Sequence, residues 1–588
     1  MSANALYAHP KLAAYRAGQG ATPSKHWLWP LYGAGFENLG QDGKPIQVDT
    51  PICGPDQLLV RHDAVGLCFS DTKIIKAGPT HPRLLNRDMK ANPVVMGHEV
   101  ALTVIQVGAN LKGKFEPGQR FIVQADIYVK GVGLAYGYAL QGGLSQYNVV
   151  GPEVLEGDEG CYLLPVKPDT GYAQAALTEP WACVTASYDV VYRVGWKGGG
   201  AALIAAGPAA KESTLGTPYA GGQAPARVGT LGVGGKLLAE LKRRASSDGY
   251  TLVELGAPSD ETVKEAVAAS DQGGFDDIVF LGADPALYEQ LEPVALKGGL
   301  LNLVGGDALG VAQVDVGRLH YDHLTLVSAM GPDLSLAYEP IRTELLPGGY
   351  AAFLGAAGPM GQMHVQRALQ AAEGPKLLIA TDLVPERLAV LEDKYSQLVE
   401  AKRGAMQFVR RTPDGKSPAE FNAGLVAETG GHGFDDIVVL APSAGVVAGA
   451  VAMMAPKGVM NIFAGLPVGS KAPINLASVV AKGLRFTGTS GSAIRDLRNM
   501  LNAAESGALD PNLSVAAVSG LRDVLKGLEG VVHQTYPGKV VIYPQILDFP
   551  LTTLPELKDV LPGVYAKLGP RESLTVEAEA EFLKALLP

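Results

Sequence analysis

The chain has 588 residues, 47% of them hydrophobic and 18% charged, and carries a formal net charge of −10. An acidic balance of that size argues against nucleic acid or an anionic membrane as a partner, while the apolar share fits a globular protein of roughly three or four domains. Four cysteines are too few for a disulfide framework, which predicts a reducing, cytoplasmic setting.

The first residues, MSANALYAHPKLAAYRAG, contain no apolar core of leader length, so no secretory signal is expected. Short β-type runs follow at 57–65, 94–107, 120–124 and 144–150, separated by turn residues such as Glu116-Pro117-Gly118-Gln119. This texture predicts an irregular β-rich domain over 1–195. Within it stand Gly66-Leu67-Cys68-Phe69-Ser70-Asp71, then Gly97-His98-Glu99, then Glu179-Pro180-Trp181-Ala182-Cys183 at the start of an expected helix. A thiol, an imidazole and carboxylates are the ligand types of a catalytic zinc that keeps one position open. Cys68, His98, Glu99 and Glu179 are therefore the candidate ligands. Glu99 either ligates or supports the ligands from behind, and Glu179 either ligates or caps its helix. Cys183, one turn beyond Glu179, is assigned to the core.

From about 199 the pattern becomes strand, glycine loop and helix in alternation, as in a parallel α/β sheet. This region is written twice. Ala205-Ala206-Gly207-Pro208 recurs as Ala356-Ala357-Gly358-Pro359, and Phe275-Asp276-Asp277-Ile278-Val279 as Phe434-Asp435-Asp436-Ile437-Val438. The offsets stay between 150 and 160, far too long for a solenoid repeat. Two copies of one domain are expected, at 199–335 and 350–500. The uncharged run between Asp436 and Lys457 reads as strand, turn and helix rather than a membrane span.

The copies differ where a nucleotide would bind. Copy two runs from an apolar strand into Gly358-Pro359-Met360-Gly361, a helical stretch, and a second strand ending at Asp382. That is a dinucleotide fingerprint with Ala356 in place of its first glycine. Asp382 would accept from the ribose hydroxyls, which selects NAD over NADP. Copy one has Ala210 and Gly232 at the positions of Gly361 and Asp382, and Pro218 interrupts its first helix. It is expected to keep the fold without the site. Beyond 501 the chain returns to β character at Gly538–Tyr543 and ends in helical patterns that include 577–587.

Taken together and in this order, GLCFSD at 66–71, GHE at 97–99, EPWACV at 179–184, GPMG at 358–361 and PGKVV at 537–541 resemble the zinc-dependent medium-chain dehydrogenase/reductase family. Glu179 is similar to the polyol and sugar dehydrogenase branch, and Ser70–Lys73 with His81-Pro82-Arg83 resembles sugar-phosphate reductases. The resemblance implies an α/β protein in which a GroES-like β-rich catalytic domain is interrupted by Rossmann-type sheets, here two in tandem, with 501–588 returning to the catalytic domain. It also implies one zinc, NAD, and hydride transfer at the hydroxyl or carbonyl carbon of a polyol, sugar or sugar phosphate, by a homo-oligomer. Ser70 would carry the hydroxyl proton, Asp71 would stand behind the metal, and Lys73 would either extend the relay or bind a phosphate. Arg83 and Arg87 are read as solvated surface, with phosphate binding as the alternative. The sequence departs from the family in lacking a four-cysteine structural-zinc lobe, in having Lys73 where a relay histidine often stands, and in the extra Rossmann copy. A zinc-free quinone or enone reductase of the same fold, or a non-catalytic ligand sensor, are the competing readings.

Overall fold

The computed structural model describes residues 9–219, 222–282, 284–305 and 310–588. Its first half is built on an eight-stranded sheet. Leu58–Gly66 lies near the middle, flanked by Glu99–Val107 on one side and Lys539–Tyr543 on the other, and Tyr147–Val150 also pairs with it. Arg120–Val123 and Leu163–Pro165 extend one end, and Val515–Gly520 and Thr552–Thr553 the other. The C-terminal segment thus pairs into the same sheet as the N-terminal strands. The last helix, Val576–Leu586, packs on this body rather than projecting from it. Its buried Glu579 accepts from the backbone N–H groups of Tyr172 and Ala173 and from the Tyr543 hydroxyl, satisfying donors at a helix start that would otherwise lie bare.

The duplicated region forms one continuous twelve-stranded sheet. Copy one contributes β1 (Ala201–Ala206), β2 (Arg227–Leu231), β3 (Thr251–Leu255), β4 (Phe275–Leu281), β5 (Ala295–Val304) and β6 (Thr325–Ala329). Copy two contributes β7 (Tyr350–Leu354), β8 (Leu377–Thr381), β9 (Gln407–Arg411), β10 (Phe434–Val439), β11 (Met454–Ile462) and β12 (Arg485–Thr487). The order is β3-β2-β1-β4-β5-β6-β12-β11-β10-β7-β8-β9. Every neighbouring pair is parallel except β6 and β12, which meet antiparallel at Leu326 and Phe486. A separate antiparallel ribbon, Val311–Asp315 with Lys471–Asn475, sets Gln313 opposite Pro473. Both contacts join equivalent positions of the two copies, so a pseudo-two-fold axis relates them. A single apolar core, with Leu319 and Leu326 on one side and Val480 and Phe486 on the other, runs through the junction.

The repeated Phe-Asp-Asp-Ile-Val motif is structural. In copy one, Asp277 pairs with Arg193 and accepts from Lys197 N, while Asp276 accepts from Ala201 N at the mouth of β1. In copy two, Asp436 pairs with Arg342 and accepts from Leu346 N, while Asp435 accepts from Tyr350 N at the mouth of β7. Each acidic pair anchors the chain as it enters the first strand of its sheet, and burial raises both Asp277 and Asp436 to about 6.

The copies diverge after their first strands. Copy two follows β7 with the helix Pro359–Gln370, opened by a proline whose missing N–H costs nothing at that position. Between β1 and β2 of copy one the described residues form no α-helix, only turns and bridges such as Trp196 with Tyr219. Copy two also shares its core with the β-rich half: Val184 and Tyr188 pack in one cluster with Met363 and Leu497, and that cluster contains nothing from copy one. Across the Asp436–Lys457 run, β10 is followed by the helix Ala444–Met453. No helix among the described residues is long and apolar enough to cross a membrane.

Candidate metal centre and nucleotide site

Ligand atoms of Cys68, His98 and Glu99 lie within 4.8 Å of one another. Cys68 is the N-cap of the helix Phe69–Ala77, and His98 and Glu99 enter the strand Glu99–Val107. Asp71, wholly buried, binds the two segments together. It accepts from Cys68 N at 3.0 Å, from Gly97 N at 3.4 Å and from His98 Nδ1 at 3.2 Å. With Nδ1 tied to Asp71, Nε2 is the nitrogen left for a ligand bond. Burial works against a charged His98, but the fields of Asp71, Tyr138 and Cys68 outweigh it and lift the imidazole well above its usual range. The cluster therefore draws a cation, whether a proton or a metal.

Glu99 is fully buried. Its Oε1 accepts from Lys539 Nζ at 2.5 Å, while its Oε2 has no hydrogen-bond partner. An orphaned carboxylate oxygen beside a thiol and an imidazole fits a metal ion, since buried polar atoms are otherwise paired. Gly66 leaves room for it: a Cβ there would fall 2.0 Å from Glu99 Oε2. Glu179 lies outside the three-residue cluster. It occupies the first turn of the helix Thr178–Asp189, whose N-cap is Leu177, so Glu179 does not cap it. Burial raises its carboxyl to about 7, with the field of His98 pulling it down and those of Glu99 and Asp126 pushing it up. Cys183 Sγ sits 4.0 Å from Glu179 Oε1, and burial pushes this thiol well up, which keeps it protonated.

Ser70 and Lys73 share the helix with Cys68. Ser70 is half-buried at the second helical position. Lys73 Nζ donates to the Tyr321 hydroxyl of copy one at 3.0 Å. Arg83 is engaged by Asp126 at 2.6 Å, and Arg87 donates to the carbonyls of Tyr138 and Ala139. Neither guanidinium is a free surface group. Nearby, Gln124 Nε2 donates to Ser492 O, while Gln124 Oε1 and Thr489 Oγ1 are buried without partners. Thr489 and Ser492 lie in the segment that follows β12 of copy two.

In copy two, Gly358 is the N-cap of Pro359–Gln370, and no side chain caps the N–H groups that follow. Such a helix start attracts phosphate. A Cβ on Gly358 would meet only Arg387, at 3.6 Å, whereas one on Gly361 would lie 2.5 Å from Ala356 O. Gly358 thus keeps the approach open, and Gly361 lets helix and strand pack closely. Met360 is partly buried against the shared core. Asp382 follows β8 and accepts from Ala357 N and Val384 N, both at 3.2 Å. The site lies beside β7 and β10, where strand order reverses, which is where open α/β sheets bind nucleotides.

Several residues of the site carry no local sequence signal. Tyr321 and Asp126 belong to no motif. Lys539 does leave one: a cation in the otherwise apolar strand Lys539–Tyr543, all of it buried.

Residues 54–156 match the alcohol dehydrogenase GroES-like domain. The chain is 30% identical over 305 residues to the uncharacterized protein YggP of Escherichia coli K12, covering 48% of this chain and 70% of that one. It is 23% identical over 544 residues to L-sorbose 1-phosphate reductase of Klebsiella pneumoniae, covering 91% and 92%. An alcohol dehydrogenase structure from Thermotoga maritima superposes with a TM-score of 0.50 at 14% identity, over 88% of this chain and 99% of that one. At that identity the likeness bears on the fold.

Proposed function

The chain belongs to the zinc-type alcohol dehydrogenase family of medium-chain dehydrogenases, and from that premise we propose that it transfers a hydride between NAD and the hydroxyl or carbonyl carbon of a polyol, sugar or sugar phosphate. The observation that carries this reading is the buried cluster of Cys68, His98 and Glu99 with its unpartnered Glu99 oxygen. Similarity over nine-tenths of an L-sorbose 1-phosphate reductase supports the substrate class.

Cys68, His98 and Glu99 would hold zinc with Glu179 near them, and Gly358 to Gly361 with Asp382 would hold NAD; zinc when bound supplies a Lewis acid and the nicotinamide a hydride acceptor. The remaining work falls to the chain. Asp71 fixes the imidazole and the start of the Cys68 helix in one geometry. Lys539 balances the charge of Glu99. Ser70, half-buried two residues after Cys68 in the same helix, takes the substrate hydroxyl proton outward. Asp382 presents a carboxylate to the ribose hydroxyls and repels a 2′-phosphate, which favours NAD over NADP.

Copy two carries the working cofactor because it alone offers a helix N-terminus after its first strand among the described residues. A panel of polyols, sugars and their phosphates, followed by NADH absorbance before and after zinc removal, tests the proposal. Turnover on at least one of them that disappears with zinc is expected. Absence of NAD-linked turnover across the panel would reject it.

A further inference from the structure

Copy one has lost its own nucleotide site yet reaches into the catalytic cleft of the other half. Its short helix Val316–Tyr321 ends in His320 and Tyr321. The Tyr321 hydroxyl meets Lys73 Nζ at 3.0 Å. The His320 ring packs edge-on against Tyr321 at 4.6 Å, and its Nδ1 lies 3.2 Å from Ile462 O at the end of β11. Copy two closes the junction with Gly465. A Cβ built there would lie 2.9 Å from Tyr321 Oη, 3.1 Å from Lys73 Nζ and 3.7 Å from His320 Nε2. The β-rich half, copy one and copy two thus converge on one small cradle floored by Gly465.

The pseudo-symmetry shows what is special about these two side chains. The helix Val316–Tyr321 and its counterpart Leu476–Lys482 both start at an acid or amide N-cap, Asp315 and Asn475. Counting from those caps, His320 and Tyr321 fall where copy two has Val480 and Ala481. The polar pair appears only in copy one, where Tyr321 meets Lys73.

Lys73 is half-buried, and among the described residues no carboxylate pairs with it. A partly desolvated ammonium whose neighbour is a neutral phenol has hydrogen-bonding capacity left for an anion. Arg83 and Arg87 are already committed to Asp126 and to backbone carbonyls. Lys73 follows Cys68 by five helical positions, roughly 7–8 Å along the axis, the span of a short phosphorylated polyol.

We infer that Lys73 and the copy-one residue Tyr321 form an anion clamp that holds the phosphate monoester of the substrate, with His320 positioning Tyr321. Copy one then acts as a built-in second subunit that completes the substrate site. The inference rests on the sugar-phosphate reading above.

Calorimetry on the zinc-loaded full chain, comparing L-sorbose 1-phosphate with L-sorbose, tests it. The wild type should bind the phosphate ester about 10- to 100-fold more tightly, the range for hydrogen bonds to a charged group. Lys73→Gln should abolish most of that ratio. Tyr321→Phe, which keeps the ring against His320, should reduce it several-fold, and neither change should weaken binding of L-sorbose itself. A wild type that does not distinguish the two ligands, or a ratio undiminished in either variant, would overturn the clamp. The two claims separate cleanly. An intact ratio without hydride transfer refutes the dehydrogenase reading alone, and hydride transfer with a flat ratio refutes the clamp alone.

Discussion

Asp71 is the residue whose removal should be felt first at the metal. It is wholly buried and accepts three hydrogen bonds, from Cys68 N, Gly97 N and His98 Nδ1. These donors belong to the two segments that carry the ligands. Asp71→Asn keeps the shape but not the chemistry. Its single carbonyl oxygen can face His98 and Gly97, or it can face Cys68, but not both; the amide then points its own hydrogens at a donor. One buried N–H is left unpaired, at a cost of about 1–3 kcal/mol. The negative charge that holds His98 in place is lost as well. Loss of a group that orients metal ligands typically weakens metal binding about 10- to 100-fold. Zinc affinity, measured by competition with a chromophoric chelator, should fall by that factor in Asp71→Asn. Circular dichroism should show an unchanged fold. Wild-type zinc affinity in a folded Asp71→Asn protein would refute the reasoning.

Three further outcomes follow from the same geometry. Gly361→Val should abolish NAD binding in calorimetry, because the added Cβ falls 2.5 Å from Ala356 O; the wild type should bind one NAD per chain, and two would contradict the assignment to copy two. Lys539→Met should destabilise the metal-free protein by about 3–5 kcal/mol in denaturant melts, since it leaves the buried Glu99 carboxylate without its cation, and added zinc should recover part of the loss. Lys394 is half-buried and donates to Gln362 Oε1, and its desolvation lowers it to about 7 from a usual 10.5; the unfolded chain therefore binds the extra proton between those values, and stability should rise with pH across that window. Lys394→Met should accordingly raise the melting temperature at pH 7, with a gain bounded at about 5 kcal/mol that shrinks as the pH approaches 10. A gain that does not shrink would show that relief of packing, not of charge, is responsible.

Much of the fold could be read from local pattern. The β-type runs, the repeated Phe-Asp-Asp-Ile-Val and the proline in the first loop of copy one each leave a signal within a few residues, and the strands, the paired anchors and the missing helix stand at those places. That Cys68, His98 and Glu99 come together could be anticipated because Cys68 stands two residues after Gly66 and His98-Glu99 directly follow Gly97, at the ends of strands. What was not legible depends on long-range contact. That β6 and β12 would meet antiparallel and fuse two sheets is decided at edges whose sequences, Thr325–Ala329 and Arg485–Thr487, are ordinary apolar strands. Lys539 meets Glu99 across most of the chain. Tyr321 reaches Lys73 only because copy one is docked by the pseudo-two-fold axis. The role of Glu179 was also beyond sequence. Its helix begins two residues earlier than its proline suggested, and it is not among the three residues whose candidate ligand atoms lie within 4.8 Å of one another.

The central claim is zinc-dependent hydride transfer by a site assembled from Cys68, His98 and Glu99. It is tested most directly by following NADH oxidation on L-sorbose 1-phosphate with the purified chain as isolated, after chelation, and after zinc is restored. Activity that disappears on chelation and returns with one zinc per chain is the predicted result. Undiminished activity in the chelated protein would contradict it and point to the zinc-free reductases that share this fold.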